Sequence, residues 1–358
     1  MKCIQLFCAA IILAIAPSLT IAKGTKKYDV FGIGNSMVDI VVKVSDQELS
    51  KLLPPGVKKG GDIYVTEETL QSIMSRIKDP LILPGGSSAN VMVDVASFNG
   101  KAAFNSVISN DELGKLFKKS MDDANVAYLS PIQNKGKATA SCLTFVTPDG
   151  DRTFVVNIGI AADLGERYID YSQIKDSKVL YTEGSIWDRD GRRAKAATKA
   201  IGIANRMGVK VAFNLHDELY ISQYRPQFVR LLPMLDIVIG NENVAKELFK
   251  AKDLAQVIHQ FQKRDKIAVV TQGAKGALII TKNEVIHIPS VVAQKDVVDT
   301  SGAGDAFAAG FLYGYTHGKS LKESGELGAQ AASQIIMQLG ARPNKPFAGI
   351  LTEMSARN

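Results

Sequence analysis

Short runs of β-branched and other apolar residues alternate with longer stretches of helical periodicity through most of the chain. Tyr28–Ile33, Lys178–Thr182, Val209–Leu215, Asp236–Ile239 and Ile267–Thr271 are brief and apolar, the pattern of buried strands. Between them lie helical patterns such as Arg192–Met207, which stops at Gly208, a residue that tolerates the left-handed turn closing a helix. Regular strand–helix alternation predicts an α/β fold, doubly wound, with a mostly parallel central sheet and helices on both faces.

Two segments break the rhythm. Val41–Val65 carries Pro54-Pro55, Gly60-Gly61 and a short strand-like end, and Ala138–Val156 reads as two strands around the turn Pro148-Asp149-Gly150. Strands without intervening helices predict a small β-sheet standing off the main body, built near residues 41–66 and 138–160 and placed to cover a site as a lid. No repeat, low-complexity tract or long linker divides 23–358, which is expected to form one domain.

The 358 residues, 46% apolar and with 30 glycines, have the make-up of a globular enzyme. A net charge of +7 arises from scattered basic residues and suits phosphate-bearing ligands. No basic stripe is interleaved with aromatics, so nucleic acid is not an expected partner. Residues 1–22 have the look of a leader: Lys2, an apolar run Ile4–Ala16, and small residues in Thr20-Ile21-Ala22. The run is short for a membrane span, and an upstream extension or a misplaced start is the alternative. Cys3 and Cys8 fall in this segment, leaving Cys142 alone in the body, so no intramolecular disulfide is expected there. Histidines 216, 259, 287 and 317 lack metal-ligand spacing, and no zinc site is implied.

The sharpest chemical signal is Asp299-Thr300-Ser301-Gly302-Ala303-Gly304-Asp305-Ala306-Phe307, a polar loop opening an apolar helix. Gly302 and Gly304 let peptides approach a ligand closely, and first-turn N–H groups point outward beside the positive end of the helix dipole. With Ala303 between them they form an anion hole sized for a phosphoryl group. Asp305 stands where a hydroxyl would attack that group. The dipole is expected to keep its carboxylate ionised, a weak base, which suffices where positioning and charge stabilisation carry phosphoryl transfer. A glycine-rich turn with an aspartate cap is the plainer alternative.

Asp299–Asp305 resembles the DTxGAGD signature of the PfkB, or ribokinase-like, carbohydrate kinases. Gly85-Gly86-Ser87-Ser88-Ala89-Asn90 is similar to their second signature, two glycines followed by an asparagine. The resemblance covers essentially everything after the leader. It implies a doubly wound α/β domain with a β lid, ATP with Mg2+ as phosphoryl donor, and a small-molecule acceptor bearing hydroxyls. Gly34-Asn35-Ser36-Met37-Val38-Asp39 resembles the segment after the first strand, where Asp39 would accept from two sugar hydroxyls with Asn35 beside it; Gly85, Gly86 and Asn90 complete the implied acceptor set. Thr271-Gln272-Gly273-Ala274-Lys275-Gly276 resembles the TxGxxG nucleotide loop and also reads as a hairpin turn. Thr271, Gly273 and Gly276, together with Asp299 and Thr300, are the implied ATP contacts. Asn241 matches the first position of an NxxE motif, whose fourth position is here Val244; Glu242 or Glu247, acting through water, would have to serve the metal instead. Arg152 follows the Asp149-Gly150 turn and is either a lid arginine that reaches the transferred phosphate or a solvated edge residue. Ser320 and Glu323 read as a capping box.

Softer features bring the chain nearest to the adenosine-kinase-like branch: the GNxxxD pattern, Thr147–Thr153, Glu183-Gly184 with Trp187-Asp188, and Gly240-Asn241-Glu242. Phe145, Phe154 and Trp187 are candidates for a base slot. Three functions follow: a 5′-kinase of adenosine or a related nucleoside, a kinase of ribose, fructose or another sugar, or an idle binding homologue. ATP use implies the cytoplasm, and export is the alternative if the leader acts. A monomer or homodimer is expected, without stable membrane association.

Overall fold

A computed structural model describes residues 26–357, apart from Pro55, Arg189, Asp190 and 293–295. The leader lies outside the described residues. The first eight strands are β1 (Tyr28–Ile33), β2 (Met37–Lys43), β3 (Asp62–Tyr64), β4 (Leu81–Gly85), β5 (Ala102–Asn105), β6 (Ala127–Tyr128), β7 (Ala140–Val146) and β8 (Arg152–Asn157). Six more follow: β9 (Ser177–Glu183), β10 (Lys210–Asn214), β11 (Ile237–Asn241), β12 (Ile267–Thr271), β13 (Ala277–Ile280) and β14 (Val285–Ile288).

They form a nine-stranded sheet in the order β14-β13-β12-β11-β10-β9-β1-β5-β6 and a five-stranded sheet in the order β3-β8-β7-β2-β4. Pairing in the large sheet is parallel from β6 to β12 and antiparallel across β12-β13-β14. Alternate residues feed two cores. Phe31, Ile33, Val211 and Phe213 pack with Ala196, Ala200 and Ile201 of the helix Arg192–Arg206 on one face. Val30, Ala102, Ala212 and Val269 pack with Val91, Phe307 and Phe311 on the other.

The small sheet differs from its sequence reading. Its strands include β4 and begin at Met37, ahead of the segment assigned to it. That segment also holds the helix Asp46–Leu52, and the helix Glu67–Met74 follows it. Ser45 and Glu48 form a capping box at the first of these, so local chemistry favours helix there. Ile40, Leu143, Phe145 and Val155 bury one face of the small sheet against these helices. Ladder partners share a face, so Asp39, Cys142, Val156 and Phe154 look the other way, toward the large domain.

The chain runs from β1 out to β6, then returns to β9 on the opposite flank of β1. Loops leaving β1 and β9 therefore diverge, opening a crevice at the carboxyl ends of the strands. Among the described residues, no helix is long and apolar enough to cross a membrane.

Candidate active site

Two cavities flank the start of the helix Ala303–Thr316. One, of about 590 Å³, is lined by Thr271, Gly273, Gly276, Thr300, Ala303 and Gly304. The second, of about 1070 Å³, opens between the two sheets. Asn35, Gly86, Ser87, Glu183, Arg193 and His216 form its polar wall, with Tyr64, Phe154 and Tyr220 among its aromatic residues.

Asp305 stands at the junction. Ser87 Oγ donates to Asp305 Oδ1 at 2.7 Å, and Asn90 Nδ2 donates to Oδ2 at 3.0 Å. Both donors come from the helix Ser87–Ser97, which Gly86 caps with φ +87°. Asp305 stays ionised at neutral pH, as expected, but is a stronger base than an ordinary carboxylate. Burial pushes Asp305 up to about 6, with Glu183 adding to the rise, while Ser87, Asn90 and His216 oppose it. Desolvation thus outweighs the two hydrogen bonds that favour the charged form.

The helix opens as a phosphate cradle requires. Gly302 is its N-cap at φ +77°, and a β-carbon there would fall 2.7 Å from Ala341. Ala303 N–H bonds Thr300 O at 3.3 Å and Ala306 N–H bonds Gly302 O at 2.8 Å. The amides of Gly304 and Asp305 have no backbone partner among the described residues.

Asn35 is buried, with Nδ2 donating to Ser185 Oγ at 3.3 Å and Oδ1 accepting from an Arg193 NH group at 3.0 Å. Arg193 is in turn paired with Asp188 at 2.6 Å. Asp39 lies against Gly85, where a β-carbon would meet its carboxylate at 2.1 Å. Burial pushes Asp39 up to about 6, and the nearby guanidinium groups of Arg342 and Arg152 hold it lower than burial alone would.

Several sequence-derived positions fall outside the cavity walls. Asp299 accepts from Ser301 N–H at 2.8 Å and Gly340 N–H at 3.1 Å, and pairs with Arg152 at 2.5 Å. Arg152 also donates to Ser301 Oγ, so it spans from β8 to the phosphate loop rather than lying solvated at the sheet edge. Asn241 caps the helix Glu242–Phe249 by accepting from Val244 N–H at 2.9 Å. Val244 is fully buried. Glu242 is held by Gln272 at 2.7 Å and by Lys246, and Glu247 by Lys250. Thr271–Gly276 links the antiparallel pair β12–β13, so it is a hairpin turn that also lines a cavity. Of the candidate aromatics, Phe145 is core, while Phe154 and Trp187 both border the large cavity, Trp187 also packing edge-on to Phe213.

Ser87, Glu183, Arg193 and His216 were not among the sequence candidates. Ser87 sits inside the Gly85–Asn90 signature and its position was the available signal; Arg193, 158 residues from Asn35, carried none. His216 follows β10 at φ +71° and its Nδ1 lies 2.8 Å from Asp217.

A glycine-capped helix start with unpaired amides and a buried carboxylate between two cavities is the arrangement expected of a small-molecule kinase site. The pfkB family carbohydrate kinase model matches residues 62–348, and the chain belongs to that family. It is an ATP-dependent kinase of the carbohydrate and nucleoside class. The crystal structure of adenosine kinase from Sinorhizobium meliloti superposes with a TM-score of 0.84 at 33% identity, covering 92% of this chain and 99% of that one. Adenosine kinase 1 of Arabidopsis thaliana is 24% identical over 88% of this chain and 96% of its own length. A 5-dehydro-2-deoxygluconokinase of Listeria monocytogenes is 25% identical over 76% of this chain and 86% of its own.

Proposed function

We propose that the chain transfers the terminal phosphoryl group of ATP to the primary hydroxyl of a nucleoside, most closely adenosine, with Asp305 as the base. The observation that carries this is the position of Asp305 between two cavities. Gly304 beside it lines one, and Ser87, which donates to it, lines the other. ATP lies in the smaller cavity, its base among Val291, Val292 and Ile336 and its phosphates toward Ala303 and Gly304. Magnesium, which the family resemblance implies, would accompany ATP and offset the charge of its phosphates.

The acceptor lies in the larger cavity. Asp39, Asn35 and the Gly85-Gly86 backbone hold its ribose hydroxyls, and Asn90 and Ser87 keep Asp305 aimed at the 5′ position. The attacking O–H gives its proton to Asp305 as its oxygen bonds the γ-phosphorus and the bond from that phosphorus to the β,γ-bridging oxygen breaks, releasing ADP. The oxyanion charge on the migrating group is met by the Gly304 and Asp305 amides, with Arg152 above them. A volume of about 1070 Å³ edged by Tyr64, Phe154 and Tyr220 favours an acceptor with an aromatic base over a bare monosaccharide. ATP supply places this chemistry in the cytoplasm.

The test is ATP turnover with a panel of nucleosides and monosaccharides, with the phosphorylated oxygen located by NMR. Adenosine or a close analogue should give the highest kcat/KM. Preference for ribose, fructose or a deoxygluconate over every nucleoside would refute the acceptor assignment while leaving Asp305 in place.

A further inference from the structure

Arg342 lies in the loop after the helix Leu321–Ile336, outside every signature that points to the chemistry. Its side chain touches three separate elements. Nε donates to Asn90 Oδ1 at 3.0 Å, one terminal nitrogen to Ser120 Oγ at 2.7 Å, and the other to the Gly85 carbonyl at 3.1 Å. The guanidinium carbon lies 5.6 Å from the centre of the Phe117 ring. Asp94, Asp39 and Asp305 surround the group electrostatically. Asp94 is fully buried, and neither of its oxygens has a hydrogen-bond partner among the described residues. The backbone of the same loop is tied to the phosphate cradle: Gly340 N–H donates to Asp299, and Ala341 occupies the space a Gly302 side chain would need.

An asparagine amide has one accepting and one donating end, and arginine can only donate. A guanidinium on Asn90 Oδ1 therefore compels the Asn90 amino group to face Asp305, where it donates at 3.0 Å. Without that contact a half-turn of the amide would bring its oxygen against the carboxylate. The Gly85 carbonyl is fixed by the same planar fork, beside the acceptor aspartate. Lysine has a single charged nitrogen and cannot span three diverging acceptors.

Resting on Asp305 as the base, we propose that Arg342 is a positioning residue for phosphoryl transfer. By orienting Asn90 and Gly85 it keeps the base and the acceptor clamp in register with the phosphate loop that its own backbone braces. It touches neither substrate.

The experiment uses the full chain with ATP and adenosine, or the best acceptor in the panel, and compares Arg342→Lys, Arg342→Ala, Asn90→Ala and Arg342→Ala/Asn90→Ala. Losing a charge-assisted contact predicts kcat lower by ~10–10²-fold in Arg342→Ala, with a smaller loss in Arg342→Lys. The acid limb of kcat should move to higher pH in both, because Asp305 loses an oriented donor. Guanidinium ion, well below denaturing concentration, should restore part of the Arg342→Ala rate. In the Asn90→Ala background, the further loss on removing Arg342 should shrink severalfold. Should Arg342→Ala fail to fold, Arg342→Lys carries the test. A folded Arg342→Lys with kcat within about twofold of wild type and an unmoved acid limb overturns the proposal. Asp305→Asn, run alongside, separates the two ideas. Normal turnover there removes the base itself, whereas an inactive Asp305→Asn beside a normal Arg342→Lys removes only Arg342.

Discussion

Replacing Asp305 by Asn should make the protein nearly inactive and, at neutral pH, more stable. Losing the base should lower kcat by ~10²–10⁴-fold. The stability change follows from desolvation of the carboxylate, which raises its pKa from 3.8 to about 6. At about 1.4 kcal/mol per tenfold change in proton affinity, this places about 3 kcal/mol against the folded state once the group is ionised, an upper bound for a side chain bordering an open cavity. Asn restores one acceptor but turns an amino group toward the Ser87 or Asn90 donors, losing one contact at about 1 kcal/mol. The net expectation is a gain of about 2 kcal/mol at pH 8. The sign is fixed by linkage: because the folded pKa is raised, the wild-type penalty is absent below 3.8, grows as pH rises to about 6, and is constant above that. Urea unfolding followed by the sole tryptophan, Trp187, buried against Phe213 and Phe228, measures this between pH 5 and 8. A variant less stable than wild type at pH 8, or a difference that does not vary between pH 5 and 8, would refute the desolvation argument.

Other outcomes follow from the same geometry. The wild-type kcat should fall as pH drops below about 6; Ser87→Ala, by removing the 2.7 Å donor to Asp305, should shift that limb upward by about one pH unit, and an unmoved limb in the kcat profile would detach Ser87 from the base. Asp39→Ala should raise the acceptor KM by ~10²-fold or more with little change in the KM for ATP, and equal changes in both would take Asp39 out of the acceptor clamp. Gly302→Ala, at φ +77° with Ala341 in the way, should destabilise the fold by ~1–3 kcal/mol and lower kcat; a thermal melt matching wild type would show that the loop relaxes freely.

The sequence by itself carried whatever depends on local backbone. The strands β1, β9, β10, β11 and β12 were legible as short apolar runs bounded by turn residues, whereas β5, β6 and β14 were not read. The Gly302–Asp305 cradle was legible because positive φ and unpaired first-turn amides are properties of consecutive residues. The hairpin at Thr271–Gly276 and the capping box at Ser320 belong to the same class. Tertiary structure decided what depends on distant residues and on the surrounding medium. Ser87 and Asn90 reach Asp305 across 218 and 215 residues, and Arg193 reaches Asn35 across 158. Their partnerships arise only when β1, β9 and the helix Ala303–Thr316 are brought together. The raised basicity of Asp305, which stays ionised at neutral pH, was not legible in the sequence for a related reason. A helix dipole is set by neighbours along the chain, whereas desolvation is set by everything folded around the group, and burial is the largest cause of the raised Asp305 pKa.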